Sequence, residues 1–112
     1  MDDLALAFTK LGYSVDRSFT QQGVLVIKEF TVGAGRHGGQ LVSVGIPATD
    51  YPFTAPAGFH VRPSLMVTGQ NGINPSSLGP EWQYWSRRLT EWTKDRSVQH
   101  IISYINRVFL DA

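Results

Sequence analysis

The chain of 112 residues contains no cysteine. That absence excludes disulfides, thiolate metal ligands and a cysteine nucleophile. Charge is scarce as well: Asp, Glu, Lys and Arg make up 17% of the residues, and ten basic side chains against nine acidic ones leave a net charge of +1. A protein built mainly to hold nucleic acid would carry a clear basic excess, which this sequence lacks. No apolar run approaches the length of a membrane span, and Met1-Asp2-Asp3-Leu4 is acidic where a secretory signal would be basic. A cytoplasmic protein without a membrane segment is therefore expected. The three histidines, His37, His60 and His100, fall without ligand spacing, so neither a metal nor a cofactor is expected.

What is present is apolar and aromatic. Hydrophobic residues reach 42% and aromatics 12%, enough for residues 1–112 to form one domain with its own core. Leu4, Ala7, Phe8 and Leu11 recur at helical spacing behind Asp2 and Asp3, which predicts an N-terminal amphipathic helix ended by Gly12. Val15 and Phe19 suggest a first short strand. The β-branched run Val24 to Val32 and the alternation of Val42, Val44 and Ile46 predict an antiparallel hairpin around a glycine-rich tip.

Tyr51-Pro52-Phe53-Thr54-Ala55-Pro56 must turn, because two prolines remove two ladder donors. Its aromatics Tyr51 and Phe53, with Phe59 just beyond, are expected to be clamped onto the core. Phe59 to Arg62 supplies another strand, and residues 64–80 read as a long irregular loop full of Gly, Pro and Ser. Pro80 ahead of Glu81 predicts a short helix over 81–89. Ser97 caps a helix whose apolar stripe runs Val98, Ile101, Ile102, Ile105, Val108 and Phe109. The expected class is α+β: a helix, an antiparallel meander of about four strands, an irregular loop and a C-terminal helix packed on the sheet.

Gly33-x-Gly35-x-x-Gly38 matches a dinucleotide fingerprint, but a strand follows where a phosphate-binding helix is required. A flexible hairpin tip is the better reading, with Arg36 and His37 placed to contact a partner. Trp82, Tyr84, Trp85 and Trp92 lie among Arg87, Arg88, Lys94 and Arg96. Such a group can stack single-stranded nucleic acid, or can pack its indoles inward and leave a cationic rim for a protein. Ser86, between the aromatics and two arginines, is the serine to watch, although no nucleophile elbow surrounds it.

The order of these elements resembles the ubiquitin-conjugating (UBC) superfamily. Tyr51-Pro52-Phe53 with Pro56 is similar to the family's Tyr-Pro-Phe-x-Pro-Pro element, with Ala55 in place of its first proline, and Trp92 followed by residues 98–109 is similar to its tryptophan and following helix. Trp85-Ser86-Arg87-Arg88 ahead of a later tryptophan resembles the divergent bacterial branch called prokaryotic family E. The resemblance implies a ubiquitin-like modifier and its activating enzyme as partners. Catalytic members carry the modifier on a cysteine several residues before that tryptophan, where this chain has Tyr84, Trp85 and Ser86. The family's His-Pro-Asn element is not reproduced; Asn74-Pro75 holds two of its residue types in reversed order. Thioester transfer is thereby excluded.

Two roles then follow from the resemblance. One is a non-thioester component that binds the modifier or its activating enzyme, with Arg36, His37, Tyr84, Trp85, Arg87 and Arg88 on the binding surface. The other is an oxyester enzyme with Ser86 as acyl carrier, His60 as base and Arg87 or Arg88 as oxyanion donors. A nucleic-acid module using the Trp/Arg cluster is the reading outside the family.

Overall fold

A computed structural model describes residues 1–112. Its first helix, α1 (Asp2–Lys10), buries Leu4, Ala5 and Phe8 and places Asp2 and Asp3 in the first turn, where the helix dipole favours negative charge. Strands β1 (Ser14–Asp16), β2 (Val24–Thr31), β3 (Leu41–Pro47) and β4 (Phe59–Arg62) form an antiparallel meander. Helix α2 (Val98–Asp111) closes the chain, and the Ser97 hydroxyl accepts a hydrogen bond from the His100 amide at 3.2 Å, as a cap should. Both helices pack on the same face of the sheet. No helix is long and apolar enough to cross a membrane.

The expectation of about four strands falls short, because the sheet has six in the order β1-β2-β3-β4-β6-β5. Within the loop 64–80, Ile73–Pro75 forms β5, and Gln83–Trp85 forms β6 where a short helix is predicted. Phe19 lies outside β1, at the start of a 3-10 turn. Strand β6 is set by alternation. Gln83 and Trp85 are buried on the helix side while Tyr84 lies half-buried on the other, a period of two that three residues cannot advertise in sequence.

A bulge sets the phase of β2. Ile27 faces Val44 and Phe30 faces Val42, so Lys28 and Glu29 together oppose Ser43, with Glu29 at a φ of 55°. Without that extra residue Phe30 and Val32 would point away from the core that Leu25 and Ile27 enter; with it, all four are buried. The core joins these to Val42, Val44, Ile46, Phe59, Val61, Trp85 and the inner faces of both helices.

The opposite face is partly covered. Gly45 has no Cβ, and one placed there would meet Val24, His60 and Leu78 at 3.0 to 3.2 Å, so its absence lets the 76–82 segment lie close on the sheet. Trp82 seals this smaller cluster, edge-on to Phe19 with Val24 and Val26 beneath and the Arg62 guanidinium 4.8 Å from its ring.

Candidate docking site

The turn after β3 is held from the far side of the chain. Trp92 donates its indole N–H to the Pro52 carbonyl at 2.8 Å, and the Tyr51 and Trp92 rings pack at 6.0 Å. The Leu89 amide donates to the Pro56 carbonyl at 3.1 Å, fastening the strand-end segment to the same turn. Tyr51 and Phe59 are thus on the core, as expected. Phe53 is not: it stands 78% exposed at the tip of the turn. The expectation fails here because the turn is gripped through Tyr51, the Pro52 carbonyl and Pro56, which leaves Phe53 on the outer side.

A large aromatic presented on a backbone that is already fixed is able to serve as a binding anchor. Ordering its loop on binding costs little, since tertiary bonds have ordered it beforehand.

The glycine-rich tip is less free than the sequence suggests. His37 is buried, and its Nε2 lies 3.5 Å from the Met66 sulfur. A partner cannot reach that ring without local opening. Arg36 is exposed, and with Arg87 it lines a cleft of about 670 Å³ over Leu65, Met66 and Ile73, so two predicted binding residues meet although 51 positions separate them. Asp111 lines the same cleft and offsets part of the charge. The neighbouring loop is organised by Gln83, which sequence reasoning missed. Its buried amide accepts from the Leu65 and Met66 amides at 3.1 and 3.2 Å and donates to the Met66 carbonyl and Thr68 hydroxyl at 2.6 and 2.9 Å. No sequence motif marks such a residue; only the strand places it under the loop.

Among the aromatic group, Trp82, Trp85 and Trp92 are all buried, so no tryptophan face is open for stacking a base. Trp85 packs against Phe59 and Phe109 and takes no part in an exposed surface. Tyr84 is half-buried against His60, with ring centres 4.8 Å apart, and burial raises its phenol above the ordinary range. Arg88 is exposed. Arg87 is half-buried; its Nη1 donates to the Ser86 carbonyl at 2.8 Å, and its own carbonyl accepts from the Tyr104 hydroxyl.

The base and the serine chosen from sequence do not pair. Nδ1 of His60 lies 2.7 Å from the hydroxyl of Ser76, not Ser86, and Ser76 Oγ also accepts from the Leu78 amide at 3.0 Å. The pairing joins β4 to the residue just past β5 across 16 positions, a contact that no local pattern encodes.

Burial pushes the His60 imidazole down from 6.5 to about 4. As pH falls below 6.5 the unfolded chain takes up a proton that the folded chain refuses until about 4, so the folded state loses stability through that window. The expected loss is about 2 kcal/mol by about pH 5, with no contribution above about pH 7. Urea denaturation across this range should lose that slope in His60→Gln, which keeps polar atoms for Ser76. An unchanged slope would assign the effect to another group.

No group of acidic or histidine side chains is arranged to hold a metal ion. No family model, curated protein or solved structure matches the chain.

Proposed function

We propose that this domain is a non-thioester component of a bacterial ubiquitin-like conjugation pathway, and that it binds the modifier or its activating enzyme through the turn carrying Phe53. The observation that carries the reading is the clasp of Tyr51-Pro52-Phe53 by Trp92, which leaves Phe53 presented outward. The turn and the tryptophan are two of the elements on which the resemblance to the UBC superfamily rests. The order of helix, antiparallel meander, clamped turn, tryptophan and amphipathic helix supports the same reading.

The test is co-elution of the domain with the activating enzyme and modifier encoded beside its gene, in the presence of ATP. A stable complex is expected, without covalent adduct. Phe53→Ala should weaken it by at least about tenfold, the range of an interface anchor. If no such pair is encoded, or neither member co-elutes, the reading fails.

The 2.7 Å pairing of His60 with Ser76 favours a second reading, in which the modifier is carried as an oxyester. It is the weaker one, because an imidazole held near 4 is a poor proton acceptor at neutral pH and no carboxylate orients it. A hydroxylamine-sensitive adduct that disappears in Ser76→Ala would establish it in place of the first.

A further inference from the structure

After β6 the chain runs from Arg87 to Thr90 beside α2, anchored by the Tyr104 hydroxyl on the Arg87 carbonyl and by Leu89, which is buried in the core. Between this segment and the helix lies a cleft of about 430 Å³. Arg88 and Thr90 line one wall, and His100, Ser103 and Arg107 line the other. The last three recur at i, i+3 and i+7, a single stripe of α2.

The charge of this cleft is unlike that of the molecule around it. Arg87, Arg88 and Arg107 line it and no acidic residue does, in a chain whose net charge is only +1. Neither Arg88 nor Arg107 is in an ion pair; the two pairs in the molecule are Arg17 with Asp2 and Lys94 with Glu91. The Arg87 guanidinium is engaged by the Ser86 carbonyl, so that residue serves as a wall. His100 donates from Nδ1 to the Asp95 carbonyl at 2.5 Å, which leaves Nε2 as its remaining polar atom.

We propose that this cleft binds the phosphoryl group of a small phosphorylated ligand, with Arg88 and Arg107 as opposed guanidinium donors and the Thr90 and Ser103 hydroxyls as neutral ones. A carboxylate presents two coplanar oxygens that a single arginine satisfies bidentately. Donors arriving from two walls suit the tetrahedral oxygens of a phosphoryl group better. The volume lies within the range of small-ligand pockets. A nucleic-acid backbone would call for a longer basic stripe than one cleft on a nearly neutral chain. The proposal is independent of the docking role of Phe53.

Titration calorimetry of the whole domain with inorganic pyrophosphate, in a low-salt buffer free of phosphate, tests it. Saturable binding is expected, weakened at least about tenfold by Arg107→Gln and by Arg88→Gln and unchanged by Lys10→Gln or Phe53→Ala. All four positions are exposed, so the variants should fold, and circular dichroism checks that they do. Absence of saturable binding up to about 10 mM, or equal weakening by Lys10→Gln, would overturn the site. A phosphoserine peptide run in parallel distinguishes the source of the phosphoryl group. Binding of the peptide at least about tenfold tighter than pyrophosphate, lost in the same arginine variants, would replace the small ligand by a phosphorylated protein.

Discussion

Phe59→Ala is expected to remove about 3–5 kcal/mol of stability, the range for truncating a buried aromatic without collapse of the cavity. Phe59 is fully buried on β4, with the rings of Trp85, Tyr104 and Phe109 at 5.9, 5.5 and 5.9 Å. It is the point at which β4, β6 and α2 meet, so its loss loosens the helix from the sheet as well as leaving a void. A domain of this kind has about 5–15 kcal/mol in total, so the variant should sit near its unfolding threshold. Urea denaturation should show a much lower midpoint with an unchanged slope. Phe53→Ala, six positions earlier and exposed, should stay within about 0.5 kcal/mol of the parent. If both variants behaved alike, the packing of α2 described above would be wrong.

Gly35→Ala is expected to cost about 3 kcal/mol, from backbone strain and overpacking together. Gly35 has a φ of 87°, and a Cβ there would meet the Phe109 carbonyl oxygen at 2.6 Å and the Leu110 Cα at 3.0 Å. Both are backbone atoms of the last turn of α2, which a rotamer change cannot relieve. Gly39, at the other end of the same tip, has a φ of 86° and open space around it, so Gly39→Ala should cost only about 1 kcal/mol. Thermal unfolding of the pair separates the two contributions. Equal losses would mean that close approach to α2 contributes nothing at Gly35. The second glycine of the apparent dinucleotide fingerprint is therefore required for a helix to approach a hairpin tip.

That motif illustrates how local patterns carry over into structure. The glycine spacing reads as a flexible tip, yet Gly35 lies against the backbone of α2, and a sequence does not say what approaches. The two helices and the β2–β3 hairpin were readable because their signals are repeated over several turns or alternations: six apolar positions along α2, and Val42, Val44 and Ile46 along β3. Strands β5 and β6 have three residues each, too few for any period to show, and their breaker-rich surroundings resemble an ordinary loop. The turn at Tyr51–Pro56 was legible as a turn with aromatics to be fixed. Which aromatic remained outside depended on Trp92, 40 positions from the carbonyl it holds.

The chemistry divides in the same way. Composition alone removed thiol chemistry, since no arrangement of this chain can supply a sulfhydryl. The amino-acid order determined the helical stripes, the proline-enforced turn and the need for an α+β core, because these depend on residues within one or two turns of each other. Tertiary structure decided the rest. It turned His37 inward, paired His60 with Ser76 in place of Ser86, left Phe53 exposed, and gathered Arg88 and Arg107 on a cleft without acids. The physical reason is that each of these outcomes depends on which strand lies beside which and on which side of the sheet the helices pack. Those choices are made by burial summed over the whole chain, and short-range propensity carries no record of them.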